Sequence, residues 1–247
     1  MPEKLSRSPV VSLSAELEEH TRETMVNQCS LSMEQQQQQQ KQKTGAGRQK
    51  SAAAGGRAGQ VSLIMEGLYL SGARAVRQAR LTELGVTCVI NSTVELPVVP
   101  LDGMEVIPVR VHDAPTSDLA AHLDTISDRI EDERSRGGRV LVHCVAGVSR
   151  SPALVLAYLI KYADMSLRQA FLHVRSVRSN VRPNAGFFAQ LIEFERRVRG
   201  STTVSLVQDP ELGLTIPDVC EDELKVLRDT RWGRMIHERR NFERLYA

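Results

Sequence analysis

The stretch Val140-Leu141-Val142-His143-Cys144-Val145-Ala146-Gly147-Val148-Ser149-Arg150-Ser151-Pro152 decides how this chain folds. Its opening apolar run has the composition of a buried strand. Ser151-Pro152 begins a stretch, ending near Tyr162, that is apolar nearly all round, as expected of a helix at the centre of a domain. The loop between them turns on Gly147 and ends at Arg150. A thiol at that position faces several backbone N–H groups, the positive end of a helix dipole and a guanidinium. All three favour an anion, so Cys144 is expected to ionise near neutral pH, and the same cradle is expected to hold a phosphate. The expected chemistry is that of a cysteine-dependent phosphatase.

Upstream, Val61-Ser62-Leu63-Ile64-Met65 and Leu68-Tyr69-Leu70 flank Glu66-Gly67 and predict an entry hairpin or two short strands. Ala73, Val76, Ala79, Leu81 and Leu84 recur at helical spacing, with Gly85 as the stop. Residues 86–90 predict a buried strand ending at Asn91, and residues 106–109 another, which Pro108 assigns to an edge or a strand end. Leu119, Leu123, Ile126 and Ile130 form one stripe of a helix that ends before Gly137-Gly138. Downstream, helices are expected from Ser166 to about Val177 and after Pro183-Asn184-Ala185-Gly186. Strands alternating with helices predict an α/β fold with a mostly parallel sheet covered on both faces. Ligands in such sheets sit at the carboxyl ends of the strands, where Cys144 falls.

Composition bounds the rest. Thirty-two basic side chains are nearly matched by 30 acidic ones, so nucleic acid is not implied as a partner. No stretch approaches the ~18 apolar residues of a membrane span, and the N-terminus lacks the pattern of a secretory signal. Cys29, Cys88, Cys144 and Cys220 are too scattered for a disulfide framework, and no C-x2-C pair suggests zinc. A reducing compartment is expected, cytosol or nucleus. Residues 1–59 read as a disordered low-complexity tail with glutamine at 35–40. Residues 60–200 read as the catalytic domain, and 201–247 as an extension: an arm over 202–219, then an amphipathic helix carrying Trp232.

The string from His143 to Ser151 resembles the signature of the dual-specificity protein phosphatases, within the cysteine-based protein tyrosine phosphatase superfamily. Leu68-Tyr69-Leu70-Ser71-Gly72 is similar to the family's opening strand, and residues 85–91 (GVTCVIN) to its second core strand. Ala157-Tyr158-Leu159 matches the helix after the loop, and Arg182-Pro183-Asn184-Ala185-Gly186-Phe187 the R-P-N-x-G-F element. Residues 204–219 resemble the tail of a small atypical subgroup that is little more than a catalytic domain. One departure is Arg175-Ser176-Val177-Arg178-Ser179-Asn180, where the family often carries two arginines and a proline.

The resemblance implies a phosphatase fold with the catalytic loop between a strand and a helix, and hydrolysis through a phosphocysteine intermediate. Cys144 is then the nucleophile, Arg150 the phosphate clamp, and the backbone from Val145 through Ala146, Gly147, Val148 and Ser149 to Arg150 the cradle. Ser151 is expected to ease departure of the thiolate, to cap the helix, or both. His143 is expected to orient the loop or to be a satisfied core residue, and Asn184 to brace the loop. The leaving oxygen needs a proton from a carboxylic acid. Asp113 and Asp118 both follow the 106–109 strand; Asp118 suits a helix start, and Asp113 matches the family's general acid by its place. No metal or cofactor is required. The implied substrates are phosphoproteins carrying phosphotyrosine, phosphoserine or phosphothreonine, with MAP kinases and other signalling proteins as candidates. A phosphoinositide or RNA 5′-phosphatase on the same fold is the alternative, disfavoured by apolar Val145, Ala146 and Val148. A non-catalytic phosphoprotein-binding module is disfavoured because Cys144, Arg150 and Asp113 are all present.

Overall fold

The strand that delivers Cys144 lies at the centre of a five-stranded sheet. The computed structural model describes residues 59–209 and 213–222. The tail expected over 1–59, Gly59 apart, and most of 221–247 with Trp232 lie outside the described residues. The sheet holds β1 (Ser62–Met65), β2 (Leu68–Gly72), β5 (Val140–Cys144), β3 (Cys88–Asn91) and β4 (Glu105–Pro108), in that order. β1 and β2 form the expected antiparallel hairpin, and every other neighbouring pair is parallel. β4 is an edge strand, consistent with Pro108 ending it.

Side chains alternate across this sheet. Tyr69, Leu141 and Val89 align in register on one face and pack with Leu81 of α1 (Gln78–Glu83). Alternate residues Leu68, Leu70, Val140, Val142 and Ile90, all fully buried, point to the other face. That face is covered by α3 (Arg150–Tyr162), which packs against β5 and β2. α3 is itself enclosed by α2 (Ala120–Ser135), α4 (Leu167–Val177) and α5 (Ala185–Arg199). Leu154, Leu156, Leu159 and Ile160 are buried to the last few square ångströms, and each contributes roughly 1.5–3 kcal/mol. The apolar run after the loop therefore pins the start of α3 against the sheet.

The helix expected from Ala73 to Leu84 is split. Ala73–Ala75 forms a single 3-10 turn, Arg77 is extended, and only then does α1 begin. The Ala73 N–H is held by the Val145 carbonyl at 3.0 Å, so the first turn is tethered to the catalytic loop and cannot continue in line. Gly85 stops α1 with a φ of 67°. Ser166 and Gln169 form a capping box on α4. The C-terminal arm is a hairpin of β6 (Leu206–Gln208) and β7 (Thr215–Pro217). Among the described residues, no helix is long and apolar enough to cross a membrane.

Candidate active site

A loop offers its N–H groups to a ligand only if its carbonyls are held elsewhere. Here four consecutive carbonyls are. The Val145 oxygen accepts from Ala73 N at 3.0 Å, and the Val148 oxygen from Arg182 N at 2.7 Å. The Ala146 and Gly147 oxygens accept from Arg178 Nη2 at 3.1 Å and Nε at 2.9 Å. With the carbonyls turned outward, the N–H groups turn toward Cys144, and Gly147 N reaches Sγ at 3.2 Å. Gly147 sits at a φ of 69°, and a Cβ there would meet the Ser71 backbone at 2.6 Å and Arg178 Nη2 at 2.7 Å. Only glycine fits this position.

Cys144 is 1 % exposed. Burial alone would push its thiol up. The Ser151 hydroxyl and the N–H groups of Ser151, Val148 and Gly147 outweigh it and hold the thiol below the ordinary cysteine value. The N-cap of α3 is Ser149, so the capping role expected of Ser151 is not what the structure shows. Ser151 lies inside the first turn, fully buried, and its hydroxyl has no hydrogen-bond partner among the described residues, which leaves it available to the sulfur whose proton affinity it lowers.

Arg150 is likewise buried. Its Nη1 donates to Glu95 Oε2 at 2.6 Å and to the Val111 carbonyl at 3.3 Å. Its Nε lies 3.8 Å from Asp113 Oδ2 and has no hydrogen-bond partner among the described residues. The pairing with Arg150 holds the Glu95 carboxyl below its usual range. Asp113 Oδ1 accepts the Ser149 hydroxyl at 2.6 Å and Asn184 Nδ2 at 3.0 Å, and Asn184 N donates back to Ser149 Oγ at 3.2 Å. Asn184 thus bridges acid and loop while its Oδ1 caps α5 at Phe187 N, 3.0 Å away. Asp118 Oδ1 accepts Ala121 N at 3.2 Å at the start of α2. Burial lowers the proton affinity of His143, whose Nδ1 lies 3.3 Å from the Cys144 carbonyl.

Two residues here carried no assigned role in the sequence reading. Arg178 lies in the segment that departs from the family pattern, yet its buried guanidinium also reaches the Gln60 carbonyl at 3.2 Å and ties the entry strand to the loop. Glu95 follows β3 at the carboxyl edge of the sheet, and that placement was its only available signal. Cys88, the buried cysteine of the neighbouring strand, pairs in register with Val140. Four residues of β5 therefore separate it from Cys144, ~13 Å along the strand, too far for a disulfide.

A parallel sheet whose central strand ends in a cysteine, a glycine-turned loop with inward N–H groups and an arginine at the following helix define the cysteine-based phosphatases as a class. Residues 68–197 match the family described as "Dual specificity phosphatase, catalytic domain". Dual specificity protein phosphatase 14 of Homo sapiens is 38 % identical over 179 residues, covering 72 % of this chain and 89 % of that protein. Dual specificity protein phosphatase 18 of Homo sapiens is 41 % identical over 168 residues, covering 68 % and 88 %. A mouse dual specificity phosphatase crystallised with zinc tungstate superposes with a TM-score of 0.56 at 32 % identity, over 61 % of this chain and 94 % of that one. The chain belongs to the dual specificity phosphatase family. It is a protein phosphatase acting on phosphoproteins.

Proposed function

We propose that Cys144, Arg150, Asp113 and Ser151 carry out this hydrolysis in two displacements. Cys144 Sγ attacks phosphorus; an S–P bond forms as the P–O bond to the serine, threonine or tyrosine oxygen breaks. Asp113 gives its proton to that oxygen. Ser149 and Asn184 both donate to Oδ1, so Oδ2 is the oxygen that carries the proton. The Arg150 guanidinium, through Nε, and the inward backbone N–H groups of residues 145–150 donate to the phosphoryl oxygens as they become equatorial. Glu95 keeps the guanidinium turned so that Nε faces inward. In the second step water attacks phosphorus, Asp113 takes its proton, and the sulfur leaves as a thiolate stabilised by the Ser151 hydroxyl. The products are the free hydroxyl and inorganic phosphate.

The observation that carries this reading is the set of four outward-tied carbonyls around a buried thiol of lowered proton affinity. The mouse relative's co-crystallisation with tungstate, a tetrahedral oxyanion like phosphate, supports an anion cradle on this fold. Val145 at the rim is 43 % exposed, which supports a shallow opening that admits phosphothreonine as well as phosphotyrosine. Signalling proteins such as MAP kinases, with both residues in one segment, are the proposed targets. A reducing compartment, cytosol or nucleus, would keep Cys144 reactive.

The test is hydrolysis of matched phosphotyrosine, phosphothreonine, phosphoinositide and RNA 5′-phosphate substrates by the full chain, with acid quench to trap phosphate on Cys144. Turnover of both phosphopeptides with a Cys144 adduct is expected. Faster turnover of the inositide or RNA, or an adduct elsewhere, would overturn the assignment.

A further inference from the structure

The C-terminal hairpin takes no part in these steps, yet it is fastened to the domain at several points. Glu195, fully buried in α5, accepts the N–H groups of Leu167 at 2.7 Å and Thr203 at 2.8 Å and the Thr203 hydroxyl at 2.7 Å. Arg168 donates to Asp218 Oδ1 at 2.8 Å and to the Thr203 carbonyl at 2.9 Å. Asp218 also accepts the Ser205 hydroxyl at 2.9 Å. Thr203 anchors the start of the arm, and the Arg168–Asp218 pair together with packing of both strands on α5 holds the β7 end of the hairpin to the domain.

Between β7 and that loop lies a cavity of about 420 Å³. On the loop side its lining includes Val148 with Asp113, Ser149 and Asn184, whose polar groups already bond to one another. The hairpin contributes Leu214, Ile216 and Pro217, with Thr215 the polar residue among them. Arg182 also borders it and is already engaged within the protein.

We infer that this cavity receives an apolar side chain of the phosphoprotein substrate, one flanking the phosphorylated residue. The inference rests on the proposed role of Cys144 and adds a substrate preference to it. A phosphorylated residue with its phosphorus over Cys144 passes Asp113 and Ser149 on its way out of the loop. The next residues of an extended peptide follow at ~3.3–3.6 Å each and meet the cavity beside Asp113 and Ser149, across from the hairpin. A charged side chain there would lose water against Leu214, Ile216 and Pro217. A leucine, isoleucine or methionine would bury its carbons. The hairpin wall is therefore a specificity determinant for the family's reaction.

The test uses the full chain, p-nitrophenyl phosphate, and phosphotyrosine peptides in which each of the two positions on either side is Gly, Leu or Glu in turn. Leu at one position is expected to raise kcat/KM roughly tenfold or more over Gly. Ile216→Ser and Leu214→Ser should each reduce that gain to about twofold or less while p-nitrophenyl phosphate turnover stays within about twofold of wild type. The milder Ile216→Ala should give an intermediate gain, and serves if the serine variants unfold. Absence of any positional preference in the wild-type chain would overturn the inference, as would a preference for Glu. A variant that stays folded by circular dichroism yet loses p-nitrophenyl phosphate and Leu-peptide turnover alike would overturn it too. Failure of the catalytic assignment is separately visible, because the wild-type chain would then not hydrolyse p-nitrophenyl phosphate.

Discussion

Cys88 and Cys144 lie on neighbouring parallel strands, and both are buried, at 0 % and 1 % exposure. Burial pushes the Cys88 thiol up to about 12, with Arg129 and Arg136 acting against it and Glu105 and Glu133 with it. The same burial acts on Cys144, yet its thiol is lowered. The difference is position along the strand. Cys88 opens β3 at the amino edge, flanked in register by Val140 and Glu105, where both neighbouring strands also begin and, among the described residues, no loop or helix start turns its N–H groups toward the sulfur. Cys144 ends β5 at the carboxyl edge, where the chain leaves the ladder and the N–H groups of a loop and a helix start turn toward it. In this fold, a thiol of raised and one of lowered proton affinity differ by the edge of the sheet they occupy, not by depth.

That contrast can be broken from the Cys144 side first. Cys144→Ser should reduce turnover by at least about 10⁴-fold while phosphopeptide binding, followed by fluorescence anisotropy, survives. Asp113→Asn should slow esters with poor leaving groups by roughly 10²–10⁴-fold and activated aryl phosphates far less. An equal loss on both would shift the proton donor elsewhere.

Arg178→Ala removes the donors that hold the Ala146 and Gly147 carbonyls outward. Stranding such groups costs ~1–3 kcal/mol each, so both the melting temperature and kcat/KM should fall, and Arg178→Lys should recover only part. Ser151→Ala deletes a group that lowers the thiol's proton affinity. The midpoint for iodoacetamide alkylation of Cys144 should therefore move to higher pH. In the wild-type chain turnover should decline as pH falls through that midpoint, because the thiolate is the attacking form. The smallest effect belongs to the other thiol. Cys88→Ala should leave kcat/KM within about twofold and cost about 1 kcal/mol of stability by denaturant unfolding, and Cys88 should resist alkylation until the chain unfolds.

Legibility in the sequence tracked distance along the chain. The run from Val140 to Tyr162 declares itself because strand, turn, cradle and buried helix are consecutive, and each has a local signature in apolar pattern, glycine or helix start. Asp113 and Asn184 were nameable through resemblance, but that they share Ser149 as a partner was not, since those contacts span 36 and 35 residues. Arg178 and Glu95 reach the loop across 31 and 55 residues. Neither has a local pattern that distinguishes it from a solvated charge. The split helix after β2 fails the same way: its apolar spacing is helical, and the tether from Ala73 to Val145 overrides it.

The sequence by itself determined most of the order of strands and helices in the sheet and around it, and the placing of Cys144 and Arg150 on one strand–loop–helix unit, because apolar periodicity and backbone chemistry act over a few residues. The tertiary structure alone decided which side chains hold the loop's carbonyls away from the sulfur, which carboxylate turns Arg150, and that the C-terminal arm walls a cavity beside the phosphate cradle. Those are matters of which distant segments the sheet brings to one edge, and hydrogen bonds that short are specified only once the chain has folded.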